Sequence, residues 1–192
     1  MKISALDENG KPVDWWFMYK VPELGSGALS GTEATSGYEY VYYDSEIDKL
    51  ADRDPRKAPS KSPNLINKGQ GALNLTLNSI FKQYPKSPAP TTGWVLYNDE
   101  LPAKVGRKDD AHKGHTKGVI AFDTASKTAF WLLHSWPKFA EPGATNDPTP
   151  KYGQTYLCIS MDIATANKIA EQMLHHQEPQ VFFPNAANLP RT

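Results

Sequence analysis

His115 and Lys117, separated by Thr116, have the residue types and spacing needed to act on a phosphate group. In extended backbone, residues two apart share a face about 6.5–7 Å apart, so both side chains can converge on one phosphate. A neutral imidazole can attack phosphorus, and a lysine that stays charged stabilises negative charge on the phosphoryl oxygens. Such a pair needs no metal. Gly114 and Gly118 flank it, and two neighbours without Cβ are expected to let a sugar-phosphate backbone approach closely. By itself the His-x-Lys pattern is weak, because three residues describe a surface histidine beside a solvated lysine at least as well.

His134 is a third candidate, and its face depends on how a hairpin closes. Lys117 to Asp123 and Lys127 to His134 read as two strands joined by the polar turn around Thr124-Ala125-Ser126. If Asp123 pairs with Ser126, His115 lies opposite His134; if with Thr128, Lys117 does. If Asp123 pairs with Lys127, His134 lies opposite Thr116 and points away. From the motif alone, a buried hydrogen-bonded histidine at the end of Phe130-Trp131-Leu132-Leu133 is an equal reading. Asp123 shares the parity of His115, but eight strand residues separate them by roughly 26 Å, so Asp123 reads as a turn residue.

The elements that must hold these groups are strand-rich. Val13 to Lys20 and Glu39 to Tyr43 read as strands, the first introduced by the turn signal Glu8-Asn9-Gly10-Lys11-Pro12. Residues 44–71 are charged, proline-bearing and poor in large apolar side chains, which predicts a surface excursion pinned by Leu65 and Ile66. Ala72 to Gln83 places Leu73, Leu77, Ile80 and Phe81 at helical spacing, and Tyr84-Pro85 ends the run. Gly93 to Tyr97 is a strand, residues 137–153 a second excursion, and Thr155 to Met161 a further strand. Asp162 is placed to cap a helix through Met173, with Ile163, Ala166, Ile169, Ala170 and Met173 on one stripe. Val181 to Phe183 is the last strand. The order predicts a mixed α/β (α+β) protein, a largely antiparallel sheet sandwich with covering helices, in one domain over residues 1–192. There is no internal repeat, and no glycine fingerprint of a doubly wound nucleotide fold.

The chain has 192 residues, 39% of them hydrophobic, enough to bury a core without staples. Lysine plus arginine and aspartate plus glutamate both number 21, so the net field neither attracts nor repels nucleic acid at neutral pH. The five histidines gain protons near pH 6.5 and carboxylates near about pH 4, so the protein turns cationic in acid and would hold a polyanion better there. Cys158, the single cysteine, lies in an apolar stretch and reads as a buried structural thiol. No signal peptide or membrane span is visible, which leaves the compartment unknown and a removed leader compatible with the sequence.

Together these segments resemble the deoxyribonuclease II family from Ile3 to about His176. The resemblance is carried by residues 10–22 (GKPVDWWFMYKVP), 96–99 (LYND), 114–119 (GHTKGV), 130–139 (FWLLHSWPKF) and 152–160 (YGQTYLCIS), all in order. It implies metal-independent cleavage of DNA in acid, leaving 3′-phosphate ends, with a fold and mechanism similar to phospholipase D-type enzymes. It implies further that His115 and Lys117 are one catalytic His-x-Lys pair and His134 another essential histidine, with Asn98 and Ser135 in support and no cofactor. Members of the family are about twice this length and carry a second His-x-Lys. None of the contexts of His112, His134, His175 and His176 supplies one here. The chain is therefore expected to correspond to the N-terminal half, the second pair coming from a separate chain holding the C-terminal half or from a homodimer mate.

Two other classes follow from the residues. A non-catalytic nucleic-acid-binding half-domain could hold phosphate through Lys117 with Lys104, Arg107, Lys108 and Lys113, partly offset by Asp109 and Asp110. A metal hydrolase built on His112 and His115 lacks a third well-spaced ligand. His175 and His176 suit the C-terminal end of a helix dipole.

Overall fold

The computed structural model describes residues 2–25, 34–82, 91–102, 105–139 and 151–185. The strands are β1 (Trp15–Lys20), β2 (Glu23–Leu24), β3 (Thr35–Ser36), β4 (Tyr40–Asp44), β5 (Ser60–Lys61), β6 (Thr92–Tyr97), β7 (Gly118–Asp123), β8 (Thr128–His134), β9 (Gln154–Asp162) and β10 (Val181–Asn185). The helices are α1 (Ser45–Asp48), α2 (Gly71–Phe81) and α3 (Ile163–His176), with a 3₁₀ turn at Ile66–Lys68. Eight strands make one sheet in the order β10-β6-β7-β8-β9-β1-β4-β5, every neighbouring pair antiparallel, and β2 pairs with β3 apart from it. This is the mixed, largely antiparallel architecture expected. Among the described residues no helix is long and apolar enough to cross a membrane.

Alternation along the strands sorts side chains between two cores. In β1, Trp16 and Met18 are wholly buried while Phe17 and Tyr19 stay half-exposed. On that buried face Val119, Ala121, Phe130, Leu132 and Cys158 meet Leu73, Leu77 and Ile80 of α2. The indole of Trp16 donates to Thr76 at 3.3 Å and ties helix to sheet. On the opposite face Ile120, Phe122, Ala129 and Trp131 pack against Ala166, Ile169, Ala170 and Met173, the apolar stripe of α3. Asp162 caps that helix, its carboxylate accepting from the Thr165 N–H at 2.7 Å. The helix runs on to His176, beyond the expected Met173, because nothing in residues 174–176 breaks it; the turn comes at Glu178, with φ 40°.

The 44–71 excursion is more structured than its composition suggests. Asp44 both ends β4 and caps α1, and Ile66 is buried under the loop. Glu8, in the turn before β1, accepts from Tyr40, Ser62, Asn64 and the Ala72 N–H, so one carboxylate gathers both ends of the excursion. The Tyr84-Pro85 stop and most of the 137–153 loop lie outside the described residues.

The β7–β8 hairpin positions the site. Asp123 pairs with Thr128, leaving a four-residue loop in which Lys127 takes the left-handed conformation, φ 56°. Asp123 accepts from Thr91 at 2.5 Å and from the Ser126 N–H and hydroxyl at 2.8 and 2.6 Å. Burial works against its charge, but these donors outweigh it and hold the carboxyl down to about 2. Of the three registers, this is the one that sets Lys117 opposite His134, and the His134 N–H donates to the Lys117 carbonyl at 3.2 Å.

Candidate active site

His115 and Lys117 lie just before β7 rather than within it, in a bend where the Thr116 N–H donates to the Gly114 carbonyl at 2.8 Å. They converge all the same. His115 Nε2 lies 2.7 Å from one carboxylate oxygen of Asp99, and the Lys117 ammonium pairs with the other. The side chain of His115 is 89% exposed, that of Lys117 only 7%, so the pair is one exposed imidazole and one sequestered ammonium.

Asp99 was not among the residues singled out by spacing, although it sits in the 96–99 block. Its position follows from strand pairing. Tyr97 of β6 pairs with Gly118 of β7, and continuing that antiparallel register past both ends carries Asn98 and Asp99 alongside Lys117 and Thr116.

His115, Lys117 and His134 line one cleft of about 430 Å³, with Ser135, Glu100 and Gln154 on its walls. Thr116, between His115 and Lys117, lines both this cleft and the one on the α3 side of the sheet end. Its side chain meets the Tyr97 hydroxyl, which also accepts from the Trp131 indole at 2.8 Å.

The flanking glycines have a role different from the one expected. A Cβ on Gly114 would lie 1.8 Å from the Gln177 carbonyl oxygen, and one on Gly118 would lie 2.3 Å from both the Leu132 carbonyl and the Tyr97 hydroxyl. Both are glycine because protein packs against them, and no room for substrate is needed to explain them.

His134 is buried against Phe139, Tyr156 and Trp136, its ring 5.3 Å from Phe139 and 5.9 Å from Tyr156. Neither of its ring nitrogens, nor the Trp136 indole N–H, nor the Tyr156 hydroxyl makes a hydrogen bond of standard geometry among the described residues. Burial, followed by the nearby Lys117 charge, pushes His134 down to about 3, against a weaker opposing pull from the Trp136 backbone. Both causes favour its neutral form in mild acid.

Asn98 and Ser135, the two residues expected in support, both hydrogen-bond to backbone beside the cleft. Asn98 is buried, and its amide donates to the carbonyls of Trp136 (3.1 Å) and Phe139 (2.5 Å) while its oxygen accepts from the Glu100 N–H (3.0 Å). Ser135 donates to Gln154 at 2.5 Å and accepts from the Thr155 N–H at 3.0 Å, which fastens the end of β8 to β9. Arg107, Lys108 and Lys113 gather around a neighbouring cleft of about 270 Å³ with Asp110, and Lys104 lies outside the described residues. Among the described residues no group of three His, Cys, Asp or Glu side chains is placed to hold a metal ion.

At this antiparallel sheet end an imidazole, an ammonium and a buried histidine line one cleft. The chain is a member of the deoxyribonuclease II family, whose family model, Deoxyribonuclease II, matches residues 4–192. It is 53% identical over 192 residues to a Burkholderia thailandensis protein named "Putative deoxyribonuclease-2", covering 100% of this chain and 51% of the relative. Cell-death-related nuclease 7 of Caenorhabditis elegans is 34% identical over 178 residues, 92% of this chain and 42% of its own length. Deoxyribonuclease-2-alpha of Rattus norvegicus is 32% identical over 178 residues, 90% and 46% of the two chains. The chain thus spans about half the length of the curated relatives it matches.

Proposed function

We propose that this chain is the N-terminal half of a deoxyribonuclease II-type enzyme and carries one of the two His-x-Lys half-sites of a metal-independent acid endonuclease acting on DNA. The observation that carries this reading is the convergence of His115, Lys117 and His134 on one cleft, with the first two already sharing an anion. Family membership supports the reaction class, and the half-length match supports a half-site.

In this reading one neutral imidazole attacks phosphorus and forms a phosphohistidine, while a cationic histidine protonates the departing 5′-oxygen. Water then cleaves the P–N bond and leaves a 3′-phosphate. His115 takes one of these two roles, and the other belongs to the second His-x-Lys, supplied by a separate C-terminal chain or a second copy. Lys117 neutralises charge on the phosphoryl oxygens. His134, held down to about 3, stays neutral in mild acid and takes an orienting role rather than that of the acid.

The test is plasmid nicking at acid pH in EDTA by the assembled particle, with intact mass in solution showing whether a second chain accompanies this one. His115→Ala should lower the rate by at least about a thousandfold; undiminished nicking overturns the assignment. The basic cluster of Arg107, Lys108 and Lys113 favours a second reading, a non-catalytic nucleic-acid-binding half-domain. DNA binding without nicking over pH 4 to 8 would select it.

A further inference from the structure

We propose that Asp99 is a placeholder for the substrate phosphate: a resting-state counter-ion that keeps His115 and Lys117 converged and that the phosphodiester must displace. The inference rests on the phosphodiesterase reading above and adds a residue and a competition to it. The two oxygens of the Asp99 carboxylate contact the same two groups, His115 Nε2 and the Lys117 ammonium, that would contact two non-bridging oxygens of a phosphodiester. Both anions are two-oxygen forks with similar span, so one occupies the ground of the other.

Burial makes the arrangement necessary. Lys117 is 7% exposed, and an ammonium so far from water needs an anion beside it. Asp99 provides one. Its backbone is held by Gln180, whose Nε2 donates to the carbonyls of Asn98 and Asp99, both at 3.0 Å, and its carboxylate by the Glu100 N–H, which donates to Oδ1 at 2.9 Å. The other charges nearby are Glu100, which faces Lys138 at 4.0 Å, and Asp109, which accepts from the Leu101 N–H. His115 and Lys117 are therefore the two cations directly against Asp99 among the described residues.

The contact also has a chemical consequence. An imidazole that donates through Nε2 has no lone pair there, so the His115 seen here is not poised to attack through that atom. When a phosphodiester arrives, its negative charge repels the carboxylate, and His115, being exposed, is free to swing from Asp99 to the new anion. Lys117, being buried, stays and exchanges one anion for the other. Asp99 thus positions the pair at rest and opposes binding by a like-charge term.

The experiment measures binding of dimethyl phosphate, a diester that remains a monoanion at neutral pH, to the chain by NMR titration. Asp99→Asn preserves shape and removes the charge, and should bind at least about tenfold more tightly than the unaltered chain; Lys117→Met should abolish binding to both. Equal or weaker binding by Asp99→Asn overturns the placeholder and leaves the phosphodiesterase reading intact. Binding to neither chain overturns both. In the unaltered protein, which needs no variant to fold, the Asp99 ¹³Cγ and His115 ¹⁵Nε2 resonances should shift together as the diester saturates. Saturation without movement of Asp99 also overturns the proposal.

Discussion

The two histidines of the cleft are held in opposite ways. His115 is almost fully exposed and has a carboxylate partner; His134 is buried among aromatic rings and has none among the described residues. Exposure with a partner fixes where a group points but leaves it in contact with solvent and able to change partners. Burial without a partner fixes the charge state, because the cationic form is the one a dry site penalises. A site needing one histidine that moves protons or makes bonds and one that stays neutral can obtain both from the same residue type by placing them at different depths.

The His115 end can be broken without touching His115. Gly114→Ala forces a Cβ into the Gln177 carbonyl at 1.8 Å, backbone against backbone, so neither side can yield cheaply. We expect a loss of about 3–4 kcal/mol in urea unfolding at neutral pH. Near-UV circular dichroism, reporting the aromatic nest around His134, should change little. A variant as stable as the parent would show that the 114–117 bend can shift away from α3 freely.

Acid sharpens the other end. Because His134 is held at about 3 when folded and titrates near its ordinary 6.5 when unfolded, the unfolded chain takes up a proton that the folded chain refuses. Its contribution is constant above pH 6.5 and becomes destabilising as pH falls from 6.5 towards 3. At about pH 4.5 the cost is about 2–3 kcal/mol relative to neutral pH. His134→Gln, which does not titrate, should lose that much less stability between the two conditions. An identical acid dependence in both proteins would mean that His134 finds a proton acceptor when folded.

The smallest effect concerns the tie between the ends of β8 and β9. Ser135→Ala removes the bond to Gln154 and the acceptor for the Thr155 N–H, at a cost of about 1–2 kcal/mol in the same unfolding experiment. No change in stability would reassign Ser135 from the scaffold to the cleft.

Most elements were legible because their signals are local. Alternation in Trp15–Lys20, the apolar stripe of α3 and the side chain of Asp162 as its cap each depend on residues a few positions apart. The bend at His115 was not legible, since a strand pattern does not say where pairing begins. The glycines beside it were misread because their reason lies in Gln177 and Tyr97, distant in sequence. Asp99 was missed for a similar reason: an aspartate at a strand end resembles a turn residue until the pairing of Tyr97 with Gly118 brings the residues after β6 beside those before β7.

By itself, then, the sequence determined the kinds of groups available, their parity along each strand, and the family the chain belongs to. The tertiary structure alone decided the hairpin register that turns His134 towards Lys117, the depth that keeps His134 neutral, and the carboxylate between His115 and Lys117. The physical reason is one of range. Backbone preference and periodicity act between neighbours and can be read along the chain, whereas register, burial and ion pairing depend on which distant segments meet. A shift of one residue in that meeting would have turned His134 away from the cleft that His115 and Lys117 line.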